Sequence, residues 1–183
     1  MKSIVISSGH SEDVRGAEGP KPWGLDEVDE ARKVVDQVAD ILRRQGVQVA
    51  TFHDNTSDTQ DENLKTIVNF HNSKTRELDV SVHFNAAFPE GTSDPVGTEV
   101  FYVSQYEMAK EISSAIANAG KLINRGPKKS NDLYFLNHTE QPAVLIEVCF
   151  VDSSEDCTLY RTHFQGICIA IADAINPGGT LIS

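Results

Sequence analysis

Three residues stand where chemistry is easiest to build. His10 directly follows the apolar run KSIVIS and its Ser8-Gly9 end, His83 lies near the end of LDVSVHFNA, and Glu147 interrupts the strongly apolar VLIEVCFV. A carboxylate inside such a run needs a reason, because a buried, unpaired acid either shifts its pKa upward or takes a cation partner. The bland partner for Glu147 is an arginine such as Arg125. The alternative is that His10, His83 and Glu147 meet at the carboxyl edge of one sheet, where open parallel sheets bind ligands. Two imidazoles and one carboxylate form the ligand set of a hydrolytic zinc site that keeps a coordination position open for water. The acids near His10 that could complete the set are Glu18, Asp26, Glu27 and Glu30, and spacing alone does not choose among them.

Those residues must be positioned by strands that run side by side. KSIVIS reads as a first strand, and the Gly- and Pro-rich stretch 16–24 as an irregular loop. Val28, Ala31, Val35, Val38 and Leu42 then repeat at helical spacing, Val34 and Ile41 widen the stripe, and Gly46 ends it. Residues 47–53 read as a second strand. A second helix begins near Asp58 and passes through Leu64, Ile67, Val68 and His71. Residues 78–86 and 97–104 read as strands, 106–122 as a helix, 133–136 and 143–152 as strands, and the last helix runs through Tyr160, Phe164, Ile167, Ile171 and Ile175. Strands separated by helices predict an α/β fold: a three-layer αβα domain over 1–176 with a mostly parallel twisted sheet of about six strands. Residues 177–183 read as a tail or the start of a linker.

Composition narrows the partners. The 183 residues hold 16 Lys plus Arg against 27 Asp plus Glu, a net charge of −11. Such a chain gains nothing from phosphate backbones, which excludes a nucleic-acid binder. No run approaches the ~20 apolar residues of a membrane span, and the N-terminus lacks the pattern of a secretory signal, so the chain is expected to be made in the cytoplasm. Cys149, Cys157 and Cys168 form no CxxC pair and are expected to be reduced core thiols. No exposed apolar repeat points to an oligomer, and a monomer is expected.

In order along the chain, ISSGH, an acid opening a helix that ends at LRRQG, SVHFNA, NRG with DLYFLN, and PAVLIEVCFVD are together highly specific. The chain resembles, over essentially its whole length, the zinc-dependent N-acetylmuramoyl-L-alanine amidases of the amidase type 3 group, and its layout is similar to catalytic domains of bacteriophage endolysins. The resemblance implies one Zn²⁺ held by His10, Glu27 and His83, with Glu147 as the catalytic glutamate. It also implies that Asn85 and Arg125 lie in motifs lining the cleft. The implied substrate is peptidoglycan, cut between N-acetylmuramic acid and the L-alanine of the stem peptide, in phage lysis or bacterial autolysis. The enzyme is then expected to act on the wall after release. A separate C-terminal wall-binding domain would supply the attraction that an acidic domain lacks on an anionic wall. Two departures from the family pattern are Ser11-Glu12-Asp13 after the first histidine and Cys149 in place of a common glycine. Competing readings are a cysteine hydrolase using Cys149 with His83 or His138, and a non-catalytic module that binds wall fragments.

Overall fold

In the computed structural model, which describes residues 1–179, strands and helices alternate as the periodicity requires. The order is β1 (Ser3–Ser11), α1 (Glu27–Arg44), β2 (Gln48–Asp54), α2 (Gln60–Asn72), β3 (Leu78–Asn85), β4 (Thr98–Tyr102), α3 (Tyr106–Gly120), β5 (Asn124–Lys129), α4 (Tyr134–His138), β6 (Ala143–Phe150) and α5 (Ser154–Ile175). The six strands form one sheet in the order β2-β1-β3-β6-β4-β5. Neighbours are parallel except at the β6–β4 seam, so β4 and β5 run against the other four.

Each face of the sheet is closed by its own helices. Ile4, Ile6, Val80, Val82, Val144 and Ile146 pack with the apolar stripes of α1, α3 and α5 in the main core. Val35, Val38, Ile112, Ile116, Ile167 and Ile171 come from those stripes and are fully buried. Burying a side chain of this kind contributes about 1.5–3 kcal/mol, which is why so regular a stripe dictates a helix face. A smaller cluster on the opposite face joins Leu145 and Ala143 to Ile67 and Val68 of α2 and to Phe135 and Leu136 of α4. α1 starts on the N-cap Asp26, whose side chain accepts from the Asp29 N–H, and Thr59 and Ser153 do the same for α2 and α5.

Under α2 lies a buried polar group of four. Arg76 donates from Nε and Nη2 to the two oxygens of Asp79, 2.9 Å each, His71 Nδ1 stands 2.8 Å from Asp79, and His71 Nε2 stands 3.0 Å from Ser7 Oγ. The order serine, histidine, carboxylate resembles a hydrolytic triad, but Ser7, His71 and Asp79 are each 0% exposed, so no substrate reaches them and the group is structural. Burial pushes the Asp79 carboxyl up, and its bonds to His71 and Arg76 more than reverse this, so its pKa lies below the ordinary value. Asp79→Ala, which strands the Arg76 guanidinium, is expected to cost about 3–5 kcal/mol in denaturant unfolding at neutral pH. A depressed native pKa gives stability that is complete above the ordinary carboxylate range and is lost as pH falls through the lowered value. The gap between wild type and variant should therefore narrow only in acid.

Three local expectations are corrected. Residues 133–136 do not form a strand: Tyr134–His138 is a short helix, which turns Phe135 and Leu136 together onto α2. The strand missing from the periodicity is β5, NRGPKK, at the sheet edge. Cys149, two positions past Glu147 and so expected on its face from strand alternation, does not share that face, because the β3–β6 register shifts between the pairs His83–Glu147 and Asn85–Phe150. That irregularity sends Val148 and Cys149 both into the main core. Residues 177–179 of the expected tail are described, and 180–183 lie outside the described residues.

Candidate metal centre

β1 and β3 deliver the two imidazoles to one point. His10, the second-last residue of β1, has a φ of 64°, a left-handed conformation that a non-glycine residue rarely adopts. His83 sits near the end of β3. The rings meet edge to face with centroids 5.2 Å apart. Glu27, the first residue of α1, inserts between them: its Oε1 is 3.0 Å from His83 Nδ1 and 3.3 Å from His10 Nε2.

Backbone donors fix this carboxylate. The Ala17 N–H donates to Oε2 at 2.7 Å and the Phe84 N–H to Oε1 at 3.1 Å, so Glu27 joins the loop before α1 to the end of β3. Burial raises its pKa, and the bonds to His10 and His83 outweigh burial and hold it far below the ordinary range. Burial lowers the His10 pKa and Glu27 raises it more, with a net increase. His83 Nε2 lies 3.0 Å from the buried Ser81 Oγ, the kind of outer contact that orients a ligating ring. Two glycines make the space. A Cβ on Gly9 would fall on the His83 imidazole, and one on Gly16, which has a φ of 74°, would collide with Glu27 and His10.

The competing acids are engaged elsewhere. Glu30 binds Lys33 and accepts from the Tyr160 hydroxyl of α5, Asp26 caps α1 and holds Arg15, and Glu18 lies beside Lys21 with its side chain exposed. His10, Glu27 and His83 each offer one ligand atom within 4.8 Å of the others, and they are the group of this kind among the described residues. Two neutral imidazoles and one ionised carboxylate suit a divalent zinc. Ser11-Glu12-Asp13 serves the rim: Ser11 donates to the Ser57 carbonyl, and Glu12 pairs with Arg15 and Arg32.

Glu147 lies next to this group, on the strand beside that of His83. It pairs in register with His83 on one side and with Glu99 of β4 on the other. Its Oε2 is buried without a hydrogen-bond partner. Burial raises its pKa well above the ordinary value, and the charges of Glu27 and then Glu99 add to this. Arg125 is not its counter-ion. The Arg125 Nε donates instead to Glu99 Oε2 at 2.7 Å, while Asn85 Nδ2 donates to Glu99 Oε1 at 3.1 Å. Asn85 and Arg125 are thus joined through an acid that sequence reasoning passed over. Glu99 stands between Thr98 and Val100 in a less apolar strand, and its place beside Glu147 comes from the pairing of β4 with β6. An apolar recess walled by Leu64, Ile67 and Phe135 opens beside His10 and His83. Cys149 is 0% exposed and burial drives its thiol pKa well up, which leaves no reactive thiolate, and His138 lies apart on α4.

An αβα domain that gathers two imidazoles and a carboxylate beside a second, unpaired carboxylate has the makings of a hydrolase built around a metal. A family model described as N-acetylmuramoyl-L-alanine amidase matches residues 4–177, and the chain belongs to that family. The catalytic domain of the CD27L endolysin targeting Clostridia Difficile superposes with a TM-score of 0.84 at 27% identity, covering 96% of this chain and 97% of that one. Among sequences, a germination-specific N-acetylmuramoyl-L-alanine amidase of Bacillus subtilis is 28% identical over 86% of this chain and 70% of its own. An uncharacterized 38.4 kDa protein of Clostridium perfringens is 32% identical over 86% of this chain and 46% of its own. The chain spans about half the length of the two Clostridium perfringens relatives it matches.

Proposed function

We propose that the chain is a zinc-dependent peptidoglycan amidase, cleaving the amide between N-acetylmuramic acid and the L-alanine of the stem peptide. The observation that carries this is the partnerless Glu147 Oε2 beside the His10–Glu27–His83 group. Zinc held by those three side chains supplies Lewis acidity to a water and to the scissile carbonyl. Glu147 takes the proton of the attacking water and delivers it to the amine that leaves on the L-alanine side. A carboxylate lifted above its ordinary pKa suits both halves of that transfer, because a base that holds its proton too weakly cannot take it from water. The recess walled by Leu64, Ile67 and Phe135 offers apolar contact to the methyl groups that flank the bond.

In this reading the domain acts on the wall as a monomer, after it has left the cytoplasm, in phage lysis or in bacterial wall turnover. A wall-binding module on a longer chain would hold it there, since a charge of −11 gives no attraction to anionic wall polymers. Purified peptidoglycan digested with the protein should yield peptides with new L-alanine amino termini by mass spectrometry. A chelator should stop their release and added zinc should restore it. Digestion at an undiminished rate in chelator, with no zinc in the protein, would sink the assignment.

A further inference from the structure

β5 is the basic strand of an acidic protein. Its six residues NRGPKK hold three cations and no acid, at the open edge of the sheet. The β4–β5 register shifts between the pairs Thr98–Asn124 and Glu99–Gly126, so Arg125 is the extra residue of a bulge, completed by Gly126 at a φ of 77°. Bulges re-aim side chains, and this one turns Arg125 over Glu99. Its guanidinium lies 5.1 Å from the centre of the Phe150 ring, and only its Nε is used, on Glu99. Among the described residues neither Nη of Arg125 nor the Lys128 ammonium has a hydrogen-bond or ion-pair partner. Lys128 pairs in register with Phe101, two positions along from Glu99, and therefore projects on the face that carries Glu99 and Glu147.

The metal-site side of that face carries the carboxylates Glu27, Glu147 and Glu99, and β5 sets cations without an acid beside them. We propose that Arg125 and Lys128, with Arg125 held in place by Glu99, form a subsite for a carboxylate on the peptide portion of the substrate. Two Nη donors in one plane fit the two oxygens of a carboxylate, and Lys128 adds a point charge. Strands lie about 4.8 Å apart, so β5 stands roughly 10 Å from the strand of Glu147. The arginine reaches back over β4, within the span of two or three extended residues at about 3.5 Å each. The carboxylate that reaches it belongs to the second residue of the stem, one past the L-alanine. Glu99 is a positioning residue: it touches Arg125 and Asn85, not the substrate.

The subsite rests on the amidase reading, and the test separates the two. Two synthetic muramoyl peptides, identical except that the second residue carries a free carboxylate or a carboxamide, are assayed for cleavage by the zinc-loaded protein and for equilibrium binding by calorimetry. The free acid should be favoured in Kd and in KM by roughly tenfold or more, the worth of a charge-assisted hydrogen bond. Arg125→Ala and, more weakly, Lys128→Ala should erase that preference mainly through KM. Glu99→Gln should also blunt it although Arg125 is still present, whereas Lys110→Ala, which removes the same positive charge as Lys128→Ala but from the exposed side of α3, should not. Cleavage of both peptides with equal KM and Kd overturns the subsite and leaves the amidase reading intact. Preferential binding without cleavage overturns the amidase reading and keeps the subsite.

Discussion

Glu147→Gln is expected to slow amide hydrolysis by roughly 10²–10⁴-fold, the usual worth of a positioned acid–base group. Zinc content measured by elemental analysis should stay at the wild-type level, because Glu147 does not lie between the two imidazoles. The substitution is nearly isosteric, and it removes a carboxyl whose Oε2 has no partner and which stands against the charges of Glu27 and Glu99. The folded protein should therefore be at least as stable as wild type, a combination that distinguishes lost chemistry from lost structure. A Glu147→Gln protein that releases L-alanine termini at the normal rate would place the proton transfer on another residue.

Glu27→Ala should have the opposite profile. Removing an outer contact to a metal ligand typically costs 10- to 100-fold in affinity, so deleting the carboxylate ligand itself should weaken zinc binding by roughly 100-fold or more. The variant should emerge from purification with little zinc. It should also lose stability, since the Ala17 and Phe84 N–H groups lose their acceptor and His10 and His83 lose the charge between them. Glu30→Ala is the matched control on the same helix turn. Its carboxylate serves Lys33 and Tyr160, so it should disturb the contact between α1 and α5 and leave zinc content unchanged. Equal zinc in wild type and Glu27→Ala would remove Glu27 from the ligand set.

Much of the architecture was legible because burial leaves a strong pattern. The stripe from Val28 to Leu42 has one physical use, to cover a sheet, and the apolar run around Glu147 has one, to lie inside it. His10 and His83 were visible for the same reason, as polar residues at the ends of apolar strands. The choice of Glu27 over Glu30 was not available from spacing, since both lie in the first turn of α1. It depends on which side of the helix meets β3 and which meets α5. β5 left no periodic trace, because an edge strand with a glycine at a bulge and a proline buries too little to show alternation. Residues 133–136 carry apolar side chains on consecutive positions, a run that short strands and single helical turns share. Glu99 lies in a strand legible from the sequence, but nothing in that strand marks it for the site. Only the pairing of β4 against β6 places it beside Glu147, and pairing is a property of distant segments.

The reversed direction of β4 and β5 divides the molecule's labour. β1, α1, β3 and β6 carry His10, Glu27, His83 and Glu147, and they interlock through parallel crossovers in which each strand is braced by the next. β4, α3 and β5 meet them along one antiparallel seam and through α3, whose Ile112 and Ile116 share the main core with α5, and this block carries Glu99 and Arg125. Changes confined to β4 and β5 leave the pairing of β1, β3 and β6 with one another in place, whereas changes in α3 reach the main core. A hybrid cut on either side of β4–α3–β5 must therefore keep two joints, the backbone seam between β4 and β6 and the side-chain packing of α3 on α5.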